Sequence, residues 1–173
     1  MFLTYWRQRQ RVFWVILVGA LIGLDQLTKS YFTNTIALGE AMPVTDWFNL
    51  VHVLNKGAAF SFLANADGWQ RPVLIGVSIL VIVPVTLVCL FKKTASLERW
   101  AGGLVVAGGT SNLIDRIQTG AVVDFLDLHW RGWHWPAFNL ADSYIFCAIF
   151  VWVLLCNKTD LAQAMPEKNK VQA

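Results

Sequence analysis

The chain has 173 residues, of which 56% are hydrophobic, only 14% are charged and nine are Trp, and its mean hydropathy is +0.50. Soluble domains carry charge on about a quarter of their residues, so this composition argues against an ordinary water-soluble domain and equally against disorder. The length allows one domain, and a net charge of +3 with aromatics set inside apolar runs gives no support to a nucleic-acid partner. A single membrane domain is the expectation.

A hydrocarbon core of about 30 Å takes about 20 helical residues to cross, and four stretches reach that length. The first runs from Val12 to about Phe32, preceded by Arg7, Arg9 and Arg11. It imitates a secretory signal, yet no small-x-small site closes it and it continues into Asp25 and Lys29, so it reads as an uncleaved first helix. The outward segment 33–71 carries strand signals: Asn49–Asn55 is rich in Val and Leu, Asn55-Lys56-Gly57 is turn chemistry, and Ala58–Leu63 resumes the apolar pattern. These predict a small β-hairpin on the membrane surface. The second span, Pro72–Phe91, has no charge, and its Pro84 is tolerable in a membrane helix. The third, about 97–116, is rich in Gly and Ala, which suits close helix packing more than lipid contact. After the outward segment 117–138 the fourth span covers about 139–156, and the polar stretch 157–173 is expected to be a disordered tail. The fold class expected is therefore an all-α polytopic membrane protein with four helices and a small outer β element.

Nine of the fourteen Lys and Arg residues fall at the termini or between spans two and three: Arg7, Arg9, Arg11, Lys92, Lys93, Arg99, Lys158, Lys168 and Lys170. Positive charge stays on the cytoplasmic side, which predicts cytoplasmic termini. Lys29, Lys56, Arg71, Arg116 and Arg131 then lie at outer ends of spans or in outward loops, beside Trp47, Trp69, Trp130, Trp133 and Trp135, the expected interfacial aromatics. Cys89, Cys147 and Cys156 all sit in apolar spans, where packing is their expected role and no disulfide framework arises.

Ionisable groups at membrane depth are costly and hence candidates for function. Asp25 and Lys29 are spaced i, i+4 with the acid first, a helical ion pair that either neutralises itself or positions a substrate. At the outer end of the third helix, Asp115 and Arg116 have a sufficient explanation as interface markers, whereas Asn112 needs partners if buried. Asp124 and Asp142 flank the second outward segment, which begins and ends on one membrane face, so they are able to meet. Asn139 reads as a helix N-cap, putting Asp142 at N3, and a capping carboxylate is an adequate account of it. If the two acids do meet they share one proton: the charged member takes a proton from water while the neutral one polarises a carbonyl, hydrolysing a peptide without metal. A metal set of Asp124, Asp127, His129 and His134 matches no zinc signature. Neither a G-x-S-x-G nor a Cys beside a His is present for nucleophilic catalysis. On spans and composition alone a non-enzymatic carrier or scaffold with a structural charge network is the leading reading.

Five blocks in order carry a resemblance that spans nearly the whole chain: Asp25-Gln26-Leu27-Thr28-Lys29, Asn55-Lys56-Gly57-Ala58-Ala59-Phe60, Gly108 to Arg116 (GGTSNLIDR), Gly120 to Phe125 (GAVVDF) and Phe138-Asn139-Leu140-Ala141-Asp142. The chain resembles lipoprotein signal peptidase (signal peptidase II), a bacterial intramembrane aspartic protease. The resemblance implies Asp124 and Asp142 as catalytic aspartates, Asn55, Gly57, Asn112, Arg116 and Asn139 as substrate contacts, and Asp25, Lys29, Gly108 and Ala141 as supporting positions, with the Asp25–Lys29 pair fixing the loop of Asn55. It implies no cofactor and no metal, a small β-cradle with an interfacial helical loop, and an inner-membrane site near the outer face. It further implies a monomer among membrane lipids, prolipoprotein substrates cut just before a diacylglyceryl cysteine, a Trp-bearing outward loop acting as a lid, and inhibition by globomycin-like cyclic peptides.

Overall fold

The computed structural model describes residues 2–57, 68–92 and 95–164, with side chains over 8–57, 68–92 and 95–155. Four helices and one antiparallel sheet account for most of these residues. Helix α1 spans Phe2–Thr35, α2 Gln70–Phe91, α3 Ser96–Gln118 and α4 Leu140–Ala164. Strands β1 (Ala41–Thr45), β2 (Phe48–Asn55), β3 (Val122–Trp130) and β4 (Trp133–His134) lie in the order β1-β2-β3-β4.

Helix α3 sits among the other three, and its glycines explain how. A Cβ on Gly102 would collide with Cys89 Sγ of α2, one on Gly103 with the Trp14 indole of α1, and one on Gly108 with the Ala141 carbonyl of α4. Three faces of one helix are thus pared down for three neighbours, the close approach that small residues permit between helices lacking a hydrophobic drive to associate. The expected Gly/Ala-rich packing helix is this one. Two apolar clusters fill the contacts, Trp14, Val18, Cys89, Val106 and Ala107 on one side and Ala101, Val105 and Ala148 on the other.

Among the described residues two helical stretches, Gln8–Thr35 and Gln70–Phe91, are long and apolar enough to cross a membrane, and Leu140–Leu155 is a shorter apolar one. They leave large side chains such as Leu27, Leu80 and Phe91 exposed, far more apolar surface than a soluble monomer shows. The other two helices differ from expectation at their ends and in character. Helix α4 runs on to Ala164, so residues 157–164 are helical and not the loose end expected from Asn157. Cys89 is buried in packing as anticipated, whereas Cys147 is exposed on α4; the Cys156 side chain lies outside the described residues.

The strand expected over Asn49–Asn55 is β2, but its neighbours are β1 and β3. The reversal before it falls at Asp46 and Trp47, and the Asn55 side chain closes a local turn by accepting a bond from Gly57 N at 2.9 Å. The expected partner strand, Ala58–Leu63, lies outside the described residues. The described parts of the outward segments are sheet, turn and bridge, so an interfacial helical loop is not found among them. Strands β3 and β4 join through Arg131 and Gly132, both at positive φ (50° and 83°), the two-residue turn whose twist matches a hairpin. The five Trp residues expected at the interface are all exposed, Trp47, Trp130, Trp133 and Trp135 in or beside the sheet and Trp69 at the start of α2.

Candidate active site

Asp124 is set by the sheet. The run Ala121–Phe125 is buried, and Phe125 stacks on Phe32 of α1 at 4.7 Å, anchoring the strand to the helix. Phe138 N donates to Leu126 O at 3.0 Å and Leu126 N to Phe138 O at 2.9 Å, an antiparallel bridge that brings residues 138–139 back beside 124–126. This bridge closes the sequence separation between the two candidate aspartates. Across the sheet Asn55 pairs with Val122 and Val53 with Asp124. Asn55 therefore shares the face of Asp124 as a diagonal neighbour, and its Nδ2 donates to Asp124 Oδ2 at 3.1 Å.

Asp142 is set by the helix start. Asn139 Oδ1 accepts from Asp142 N at 2.9 Å, and Asp142 Oδ2 accepts from Asn139 N at 3.2 Å, a reciprocal cap of α4. The capping account is correct as far as it goes, but the cap has a second use. Asn139, with no solvent exposure, turns its Nδ2 to Asp124 Oδ1 at 2.7 Å. One amide side chain thus touches the backbone of Asp142 and the carboxylate of Asp124. Asn112 completes the ring: its Nδ2 donates to Asp142 Oδ1 at 2.8 Å, and its Oδ1 accepts from Asn139 Nδ2 at 3.3 Å.

Burial, followed by the negative charge of Asp142, pushes the Asp124 carboxyl up to about 7, against the opposing pull of its bonds from Asn55 and Asn139 and the charge of Lys29. Near neutral pH such a group is split between acid and base forms, the condition for proton transfer in either direction. Asp124 is only 2% exposed, so the site is largely closed to bulk water on this side.

Beneath the ring lies a buried charge cluster. Lys29 Nζ meets Asp25 Oδ2 at 2.7 Å, Asp115 Oδ2 at 2.8 Å and Asn112 Oδ1 at 2.8 Å, three acceptors for the three ammonium protons. The i, i+4 pair exists as expected, but Asp115 is its third member, buried and not an interface marker. Asp25 Oδ1 accepts from Ala141 N at 2.9 Å, at the start of α4, and Ser111 Oγ donates to Asp25 Oδ2 at 2.7 Å. Asp115 Oδ2 accepts from Val123 N at 3.3 Å, one residue before Asp124. One cluster thereby fixes the elements carrying both candidate aspartates. Gln26, bonded to Asp115 Oδ1 at 2.7 Å and Ser111 Oγ at 2.9 Å, and Ser111 itself were not singled out from sequence, although both lie inside the quoted blocks.

Arg116 Nη2 donates to Gly57 O at 2.9 Å, tying α3 to the end of β2, and its buried Nε has no hydrogen-bond partner among the described residues. Arg71, taken from sequence only as an outer charge, covers the end of α3: Nε donates to Arg116 O and Nη2 to Ile117 O, both at 2.9 Å. The candidate metal set is not assembled. Asp127 pairs with His134 Nδ1 at 2.9 Å and takes a bond from Asn49 at 2.8 Å, while Asp124 turns to Asn55 and Asn139.

A buried carboxylate titrating near neutrality, bridged through one amide to a second on a helix cap, is the chemistry of an aspartic-type hydrolase. The profile of the family described as signal peptidase (SPase) II matches residues 17–157. A lipoprotein signal peptidase of Janthinobacterium sp. (strain Marseille) is 49% identical over 138 residues, covering 76% of this chain and 80% of that one. Another, from Azoarcus sp. (strain BH72), is 41% identical over 157 residues, covering 90% and 89%. A solved bacterial membrane enzyme superposes with a TM-score of 0.75 at 24% identity, over 89% of this chain and 92% of that one. The chain belongs to the signal peptidase II family and is a membrane endopeptidase. These likenesses lend nothing to the non-enzymatic carrier.

Proposed function

We propose that the chain removes the signal peptide of prolipoproteins by cutting just before a cysteine that already carries a diacylglyceryl group, with Asp124 and Asp142 as the catalytic pair. The observation that carries this reading is Asn139, which caps Asp142 and bonds Asp124 at once. In the first step one carboxylate takes a proton from water as the water oxygen attacks the scissile carbonyl carbon. The other, protonated, donates to the carbonyl oxygen. Collapse of the diol then breaks the C–N bond: the second carboxylate takes back a proton from one diol hydroxyl as the carbonyl re-forms, and the first carboxyl gives its proton to the departing amine. Asn55, Gly57, Asn112, Arg116 and Asn139 surround the pair and are proposed to hold the substrate backbone; the buried, unpartnered Arg116 Nε suits a carbonyl.

In this reading all four helices span the inner membrane with both termini cytoplasmic, and the sheet forms a cradle at the outer face beside the site. Helix α3 fails a simple length-and-apolarity criterion because it is enclosed by the others and bears the polar ligands of the cluster, which is compatible with spanning. Helices α1 and α4 both lean on α3 and scarcely on each other, leaving apolar flanks for a signal helix. The enzyme acts as a monomer, and globomycin-like cyclic peptides compete for the same site. The test is a gel-shift assay on purified lipid-modified prolipoprotein. Asp124→Asn and Asp142→Asn each abolish cleavage, and wild-type activity survives excess chelator; a folded variant of either kind that cleaves at the wild-type rate overturns the assignment.

A further inference from the structure

At the end of the molecule remote from Asp124 and Asp142, α1 and α3 part around a cleft of about 380 Å³ that the catalytic chemistry does not use. It lies about 20 Å along α3 from Asn112 at 1.5 Å per residue. Arg9 stands on one wall and Arg99 on the other, with Phe13 and Trp100 between them, their rings edge to face at 5.7 Å. The walls are fastened together: Arg99 Nη1 donates to Gln10 Oε1, and Trp14 Nε1 to Arg99 O, both at 3.0 Å. The guanidinium of Arg99 is therefore held at the cleft. A second hollow of about 440 Å³ continues from Arg9 and Phe13 along Val12 and Ile16, all exposed.

Among the described residues the charge around the cleft is mostly positive. Arg11 lies over the Phe91 ring at 5.8 Å and Lys92 follows that residue, while the nearby acid, Glu98, is turned to Ala95 N as a helix cap. We propose that this cleft binds the phosphodiester headgroup of an anionic phospholipid between Arg9 and Arg99, with an acyl chain along Val12, Phe13 and Ile16. Guanidinium groups match phosphate oxygens in a two-pronged geometry, and basic pockets between membrane helices suit acidic headgroups. A soluble anion would account for the arginines but leave the aromatic pair and the apolar strip without a use. A lipid occupies all three.

The experiment takes the full-length protein in nanodiscs of equal phosphatidylglycerol and phosphatidylcholine and weighs the lipids retained on release by native mass spectrometry. Phosphatidylglycerol is retained in preference, and Arg9→Gln/Arg99→Gln weakens that preference at least about tenfold, 1.4 kcal/mol. Arg11→Gln, outside the cleft, keeps it. Equal retention of the two lipids by the wild type, or an unchanged preference in the double variant, overturns the proposal. So does displacement by inorganic phosphate at concentrations matching the lipid, which would make this a site for a free anion. If the double variant does not fold, the wild type still decides: phosphatidylglycerol with brominated chains quenches Trp fluorescence more strongly than its phosphatidylcholine counterpart, and equal quenching refutes the site.

Discussion

Replacing Asn139 separates the two uses of its amide. In Asn139→Ala the α4 cap is lost, worth about 1 kcal/mol, together with the 2.7 Å bond to Asp124, and a hydrogen bond to an ionised acceptor contributes about 1.5–3 kcal/mol. The second loss falls on the charged form of Asp124 alone. Because that bond is one of the influences holding the carboxyl down from a value already raised to about 7, its removal moves the carboxyl further upward. A pKa unit corresponds to about 1.4 kcal/mol, so the shift is about one to two units. In Asn139→Ser the hydroxyl still caps α4 but is too short to reach Asp124. Cleavage of a lipid-modified prolipoprotein, followed from pH 5 to 9 beside thermal melts in the same detergent, separates the effects. Both variants show the acid limb of kcat/KM displaced upward by about one to two units, and the Ala variant, which also lacks the cap, melts lower than the Ser variant. A Ser variant with the wild-type pH profile would refute the claim that Asn139 sets the protonation of Asp124.

The raised Asp124 carboxyl has a stability consequence of definite sign. The folded state binds more protons than the unfolded one between the ordinary value of 3.8 and about 7, so stability falls as pH rises across that window; melting temperature drops from pH 5 to 8, and Asp124→Asn flattens the slope. Lys29→Met leaves Asp25 and Asp115 buried without their cation, and a loss of about 3–5 kcal/mol is expected as poor recovery of folded protein, with Lys29→Arg only partly restoring it. Gly108→Ala forces a Cβ into the Ala141 carbonyl and costs about 1–3 kcal/mol along with activity, because α3 and α4 carry Asn112 and Asp142; Gly23→Ala, with open space at its Cβ, melts as high as the wild type or higher. Arg71→Met exposes the last carbonyls of α3 and lowers the melting point by an amount equivalent to about 0.3–1 kcal/mol.

Much of this arrangement was legible in the residues, and the failures have physical causes. The β2 strand was readable because Val and Leu over Asn49–Asn55 have strand chemistry, but its neighbours were not, since pairing depends on residues far along the chain. Asn139 was readable as a cap because capping is local; its bond to Asp124 was not, because it depends on the Leu126–Phe138 bridge. Asp115 was misjudged for the same reason. A charge at the end of an apolar run looks like an interface marker until Lys29, from another helix, reaches it. Arg71 hides its role because carbonyl groups, its partners, are invisible in a string of side chains. The resemblance supplied what locality could not, by naming positions whose contacts are long-range.

The glycine-faced helix at the centre bears on how the protein is made. Asp115 and Arg116 on α3 would each cost about 2.5–3.5 kcal/mol to place alone at the middle of a bilayer, and its small residues return little hydrophobic gain. In the proposed four-span topology α3 is therefore a poor candidate for independent insertion. Its entry into lipid has to be concerted with α1, which brings Lys29 to Asp115, and its retention with α4, whose first turn closes over Asp25. Biogenesis and catalysis then depend on the same cluster: without Lys29, Asp25 and Asp115 together, α3 lacks the partners that make its charge tolerable in lipid, and once they meet, the elements carrying both candidate aspartates are already in place.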